Sequence, residues 1–78
     1  MNEMKRKILT AVKNGEIVLP QEKFVKAGKV FDIFNGHIGK STVYWLMKSK
    51  RVESYKISGE GTSMVNVHEI LDYFTKRD

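Results

Sequence analysis

Three glycine-containing steps divide this 78-residue chain into short segments. Asn-Gly pairs stand at residues 14–15 and 35–36, and glycine or asparagine readily takes the left-handed conformation in which helices end. Residues 59–62 (GEGT) lie between two short strand-like runs, which is typical of a β-hairpin. The chain has no cysteine, so apolar packing must supply its stability, and a domain this small has a thin core. These limits predict one small domain of several short helices and a hairpin.

Apolar residues at helical spacing predict a first helix over residues 3–13 and a second over residues 21–34, weakened or split at Gly28. Residues 16–20 (EIVLP) form a short apolar run closed by proline, which predicts an extended segment or a single edge strand. The first helix is basic and amphipathic, so it could pack on the core or form a dimer contact.

A third helix is expected to begin at Lys40 or Ser41, with its apolar face directed to the core. Residues 52–58 and 63–67 are the predicted hairpin strands. Asn66 is a candidate N-cap for a last helix, with Glu69 at the N3 position of a capping box. The expected organisation is a single domain over residues 1–78, with an N-terminal extension (1–20), a helix-turn-helix (21–51), a wing hairpin (52–67) and a C-terminal helix (67–77).

The positive charge is densest in the middle of the chain. The net charge is +5 and the pI about 9.6, which permits a polyanionic partner. Residues 40–56 carry five basic side chains and one acidic side chain, a balance of +4. The basic residues are Lys40, Lys48, Lys50, Arg51 and Lys56. They surround the third helix, as expected for a helix that enters the major groove of DNA.

Other function classes fit the sequence less well. Residues 36–42 (GHIGKST) resemble the end of a phosphate-binding loop, but Phe34 stands where that motif requires its first glycine. His68 and Glu69 begin like a zinc-binding H-E-x-x-H motif, but Asp72 occupies the position of the second histidine. No catalytic spacing stands out. We therefore expect no enzymatic activity, no metal site and no cofactor.

The aromatic pair Tyr44 and Trp45 has several interpretations. Neighbouring helix positions differ by about 100°, so at least one of the two rings should lie at the surface. Trp45 could pack on the hairpin and complete a thin core. It could also contact DNA backbone or thymine methyl groups, or form a protein interface, where tryptophan and tyrosine are enriched.

Residues 22–75 resemble the excisionase-like branch of MerR-type winged helix-turn-helix domains. The matching pieces are Ser41, Thr42, Val43, Tyr44 and Leu46, then Lys50, Arg51, Tyr55, Lys56 and Ile57, then Leu71, Tyr73 and Phe74. The resemblance implies sequence-specific binding to duplex DNA, with the second helix of the turn in the major groove and the wing on the adjacent minor groove. It implies roles in excision or transcription control in phages or mobile elements, without catalysis or cofactor.

Three positions depart from that family pattern. Trp45 stands where the family usually has a cation, and Lys50 where it usually has glycine, so Lys50 would carry a positive φ at some cost. The wing tip contains Glu60 rather than arginines, so contact from the wing would come from backbone amides and hydroxyls. The first twenty residues lie outside the resemblance.

The sequence thus predicts an α+β fold, mostly α: a winged helix-turn-helix with a two-stranded wing and an extra N-terminal helix. Predicted groove contacts are Ser41, Thr42, Tyr44, Trp45 and Lys48; predicted phosphate contacts are Lys40, Lys50, Arg51 and Lys56; predicted wing residues are Gly59, Gly61 and Thr62. The expected partner is double-stranded DNA, bound by more than one copy in a homo-oligomer or cooperative multimer. The alternative is a regulator that uses the same fold to bind a host protein. No signal peptide or membrane span is evident, so we expect a cytoplasmic protein.

Overall fold

The structure, a computed structural model, describes residues 2–59 and 61–76. Its elements are α1 (Asn2–Lys13), β1 (Phe24–Lys26), α2 (Ala27–Ile33), α3 (Lys40–Lys48), β2 (Ser54–Lys56), β3 (Ser63–Asn66) and α4 (Val67–Lys76). The fold is therefore α+β and about half helical. The acidic wing tip expected at Glu60 and the helix end expected at residue 77 lie outside the described residues. Every helix in the described ranges is too short or too polar to cross a lipid bilayer.

The three strands form one antiparallel sheet in the order β1-β3-β2. Phe24 pairs with Asn66 and Lys26 with Met64, while Tyr55 pairs with Met64 from the other side. The prediction of one helix over residues 21–34 was wrong for its first part, because residues 24–26 pair with β3 and only Ala27–Ile33 is helical. Residues 24–26 are extended because they form hydrogen bonds with a strand some 40 residues away in the sequence. The local spacing of apolar residues does not indicate such bonds. The hairpin expected to have two strands is accordingly part of a three-stranded sheet.

The first three helices end in the same backbone arrangement. After α1, the Glu16 N–H donates to Ala11 O at 2.8 Å, and Gly15 takes a φ of +79°. After α3, the Arg51 N–H donates to Leu46 O at 3.0 Å, and Lys50 takes a φ of +59°. The turn after α2 repeats the pattern at residues 35–36, with positive φ at both positions. These are Schellman motifs, in which a left-handed residue lets two N–H groups satisfy the last helix carbonyls. They confirm the predicted stops at residues 14–15 and 35–36.

All four helices and β3 contribute side chains to one core. Its buried members are Ile8, Ala11, Ile17, Val30, Phe34, Ile38, Val43, Leu46, Val52, Val65, Val67, Ile70 and Phe74. Residues 17–20 are irregular rather than a strand, with Ile17 buried and Val18 exposed. The His68 ring nitrogen Nε2 lies 2.9 Å from Pro20 O, which joins this segment to the first turn of α4.

Asn66 caps α4 as predicted. Its Oδ1 accepts hydrogen bonds from the N–H groups of His68 at 3.1 Å and Glu69 at 3.2 Å. The second half of the predicted capping box was wrong. The Glu69 carboxylate accepts a hydrogen bond from the Glu53 N–H, whereas the Asn66 N–H donates to Glu53 O at 2.8 Å. Glu69 therefore joins α4 to the segment that enters β2.

Candidate functional site

One face of α3 is buried and the opposite face carries polar and aromatic side chains. Val43 and Leu46 are fully buried and Met47 is half-buried. Four of the five residues predicted to contact a groove are exposed and lie at helical spacing on the outer face: Ser41, Tyr44, Trp45 and Lys48, which we name the α3 stripe. Thr42 is half-buried at its edge. Because the core holds the opposite face, the α3 stripe is fixed in orientation.

Cations stand at both ends of the α3 stripe. Lys40 is the first residue of α3 and is exposed, and Lys48, Lys50 and Arg51 lie at its other end, also exposed. A helix of nine residues is about 13 Å long. Positive charge therefore stands at both ends of an exposed helix face of about this length.

A cleft of about 560 Å³ lies between α2, Tyr44 of α3 and the end of the hairpin. We name it the lysine cleft, because it is lined by Lys26, Lys29 and Lys56 against one carboxylate, Asp32. The wing residues Gly61 and Thr62 also line it, together with Ser63. Of the predicted phosphate-binding residues, Lys56 is the one among its lining residues. Gly59, the remaining wing residue, is exposed at the hairpin turn with a φ of +83°.

Lys26 and Lys29 were missed by the sequence analysis. Both were assigned to the interior of one long helix, where they would be ordinary solvated charges. The β1–β3 pairing places Lys26 across from Met64 and brings the start of α2 to the end of the hairpin. No local signal in the sequence marks this approach, since it depends on strand pairing over a long separation.

A second cleft, of about 610 Å³, lies at the C-terminal end of α3 and is named the turn cleft. It is lined by Met47, Lys50, Arg51, Val52, Glu53, Ser54 and Glu69. Two cations here face two carboxylates. The charge of the residues that line the turn cleft is therefore balanced, whereas the lysine cleft carries three cations against one carboxylate.

Trp45 contacts α4 and Arg51. Its ring lies 6.2 Å from that of Tyr73, edge-on at 69°, and the Arg51 Cζ lies 4.9 Å from the Trp45 ring centroid. The prediction that Trp45 packs on the hairpin is therefore replaced by a contact with α4. The ring remains 47% exposed.

The turn before α3 is attached to the end of α1. Glu16 Oε1 lies 3.3 Å from His37 Nε2 and 3.3 Å from Asn35 Nδ2. The hydrogen bond with His37, followed by that with Asn35, lowers the pKa of the Glu16 carboxyl below its usual value. Gly39 is extended and precedes the first turn of α3, where the Val43 N–H donates to Gly39 O at 3.2 Å. The stretch that resembled a phosphate-binding loop is thus the linker before α3 (residues 36–39) followed by the first residues of α3 (40–42).

No protein-family model matches the chain, and neither the curated proteins nor the solved structures include a significant match. The candidate site is therefore defined by the geometry of this chain. Within residues 2–59 and 61–76, no group of three histidine, cysteine or acidic side chains is arranged to hold a metal ion. What the site offers is an exposed helix face, two clefts and a set of cations.

Proposed function

We propose that this chain is a winged helix-turn-helix that binds duplex DNA through the α3 stripe, acts in the cytoplasm and has no catalytic activity. The chain order supports the proposal: α2, a short turn and α3 are followed directly by the β2–β3 hairpin. In such a domain the second helix reads base edges and the hairpin lies beside it. Here α2 corresponds to the first helix of the pair, α3 to the reading helix and residues 54–66 to the wing.

The observation that carries the proposal is the bracketing of the α3 stripe by cations at both ends. A helix held by its apolar face, with polar side chains outward and lysines at each end, can enter a groove while its flanks neutralise the phosphates on either side. Ser41 and Lys48 can form hydrogen bonds with base edges, and Tyr44 can contact bases or sugars.

The lysine cleft supports a second contact, with the phosphate backbone. Lys26, Lys29 and Lys56 come from three different elements and converge beside Tyr44. Gly61 lines the same cleft, together with the hydroxyl-bearing residues Thr62 and Ser63. A phosphodiester strand leaving the major groove would find both charge and hydrogen-bond donors there.

The biological role follows from the resemblance described above. We propose a small phage or mobile-element regulator, either an architectural excision factor or a transcription regulator. One domain this small covers a limited length of DNA, so we expect several copies on repeated or palindromic sites.

The test is selection of random duplex DNA by the purified chain at two salt concentrations, with sequencing of the bound fraction. We expect an enriched motif and an affinity that falls steeply with salt. Lys29→Ala and Lys56→Ala should each reduce the slope of log affinity against log salt by about one. Lys7→Ala, an exposed lysine of α1, is the matched control and should leave the slope unchanged. Absence of binding at both salt concentrations would reject the proposal.

A protein partner is the second candidate function, because an apolar groove of about 500 Å³ lies beside the lysine cleft and shares Lys29 and Asp32 with it. It is lined by Val18, Leu19, Pro20, Phe24, Val25 and Ile33 with charged residues at its rim, and Val18 is 71% exposed. Exposed apolar grooves with polar rims are common at protein interfaces. Partner capture from nuclease-treated lysate tests this function. A stoichiometric partner that is lost with Val18→Asp, while DNA selection finds nothing, would favour it over DNA binding.

A further inference from the structure

We infer that Arg51 is a preset phosphate ligand at the C-terminal end of α3 and that Trp45 is the residue that positions it. The inference rests on the proposed DNA binding and assigns Trp45 a role other than base contact. The family that the sequence resembles usually has a cation at the position of Trp45, where it could read guanine. In this chain Trp45 instead holds Arg51, a cation six residues later.

A chain of ring contacts runs from the core to the Arg51 guanidinium. Phe74 is buried, and the Tyr73 ring meets it edge-on at 5.2 Å and 89°. Tyr73 in turn meets the Trp45 ring, and the Arg51 guanidinium lies over Trp45 at 4.9 Å. A cation over an indole face is attracted by the ring quadrupole. Trp45 is therefore supported from α4 on one side and holds the guanidinium on another.

The backbone of Arg51 is fixed as well. Its N–H donates to Leu46 O, which closes the Schellman motif at the end of α3. The preceding residue, Lys50, is held in the left-handed conformation by the same motif. Both ends of the Arg51 side chain thus have a defined position relative to the α3 stripe.

The guanidinium keeps its hydrogen-bond donors. Glu69 and Asp72 line the same small cleft as Arg51, but each has another partner. Glu69 accepts from the Glu53 N–H, and Asp72 pairs with Lys76 at 3.6 Å. Within the described part of the chain, the Arg51 side chain forms neither an ion pair nor a hydrogen bond. A guanidinium held over a ring by its charge still carries five N–H groups, which suits bidentate binding of a phosphate.

The competing explanation is purely structural. A side-chain contact between the residue after a Schellman turn and the last helical turn is common, and the Arg51–Trp45 stack could be only that. The two explanations differ in what DNA binding requires. A structural contact contributes to folding alone, whereas a positioning residue changes the number of phosphates that the protein neutralises.

The experiment measures duplex binding against salt concentration for Trp45→Ala, Trp45→Phe, Arg51→Ala and the Trp45→Ala/Arg51→Ala double variant. We expect each alanine variant to lose about tenfold in affinity and about one from the salt slope, with no further loss in the double variant. Trp45→Phe should retain the slope, because phenylalanine also offers a ring face. Arg6→Ala, on the exposed surface of α1, is the control for loss of one arginine.

Trp45 is the single tryptophan of the chain, so its fluorescence reports on the stack directly. DNA should change the emission of the wild-type protein, and the change should be smaller in Arg51→Ala, in which no guanidinium lies over the ring. A normal salt slope in folded Trp45→Ala, together with a reduced slope in Arg51→Ala, would overturn the positioning role of Trp45. An unchanged slope in Arg51→Ala would overturn the phosphate contact. If the wild-type protein bound no DNA, the proposed function would fail first, and this inference with it.

Discussion

The carboxylate of Glu16 lies 3.3 Å from the Nε2 atom of His37, so the turn that follows α1 is joined to the turn that leads into α3. Asn35, in the left-handed position after α2, donates to the same carboxylate oxygen. Glu16 therefore connects the stops of two helices and limits how far the linker before α3 can shift.

The first prediction concerns the pH dependence of this bridge. Hydrogen bonding lowers the pKa of Glu16 in the folded state, so the unfolded state binds more protons as the pH falls through its usual value of 4.5. The contribution of Glu16 to stability is present above that value and is lost as the pH falls through the lowered, folded-state value. We expect the difference in unfolding free energy between wild type and Glu16→Gln to shrink between about pH 6 and about pH 3. Urea titrations at both pH values measure it, and an equal difference at both would contradict the prediction.

Replacing Lys50 with glycine should stabilise the fold and weaken the proposed DNA binding. Lys50 holds a φ of +59°, which costs a non-glycine residue roughly 1 kcal/mol or more. The greater entropy of glycine in the unfolded chain cancels part of this benefit. We expect the unfolding free energy to rise by roughly 0.5 kcal/mol and the melting temperature to rise by a few degrees. Scanning calorimetry measures the gain, and the salt slope of binding should fall by about one. Ser49→Gly is the matched control, because Ser49 has a φ of −83° and should gain nothing.

Loss of the Asn66 side chain should destabilise the domain. Its Oδ1 accepts two N–H groups at the start of α4, and the residue is 6% exposed. Asn66→Ala should cost about 1–2 kcal/mol of unfolding free energy, because both N–H groups lose their acceptor. Asn66→Asp keeps an acceptor oxygen and should cost much less. Chemical denaturation compares the two, and equal losses would show that the cap is not the source of the effect.

Substitution of Leu46 should reduce stability, whereas substitution of Tyr44 should reduce the proposed DNA binding without reducing stability. Leu46 is fully buried, and Leu46→Ala should cost about 2–5 kcal/mol, enough to unfold much of so small a domain. Tyr44 is 51% exposed, so Tyr44→Phe should leave the unfolding midpoint nearly unchanged. If the Tyr44 hydroxyl contacts DNA, Tyr44→Phe should weaken binding several-fold. Denaturation and DNA-binding measurements on the two variants give the comparison, and a large loss of stability in Tyr44→Phe would contradict it.

Local chemistry was sufficient to predict most helix limits. The stop at residues 14–15, the start of α3 at Lys40 and the cap at Asn66 each depend on side chains within a few residues. The positive φ of Lys50 was expected from the family resemblance, because that family usually has glycine at this position.

Long-range contacts account for what the sequence did not predict. Phe24 and Val25 fit a helical repeat with later residues, but their backbone hydrogen bonds go to β3. Lys26 and Lys29 line the lysine cleft as a result. The Glu69 carboxylate accepts a hydrogen bond from the Glu53 N–H instead of capping its own helix. The Trp45 contact with Tyr73 depends on how α4 crosses α3, which no repeat in either segment encodes.

The pairing of residues 24–26 with residues 64–66 encloses α2, α3 and β2 within one loop of the chain. Closing a loop of about 40 residues has an entropic cost, and it is therefore slower than forming the short helices inside the loop. We therefore expect the helices to form transiently before β1 pairs with β3. The proposed DNA-binding surface should acquire its shape only when that loop closes. In amide hydrogen exchange the enclosed elements should open together as one cooperative unit, while α1, which lies outside the loop, can open at a lower free energy.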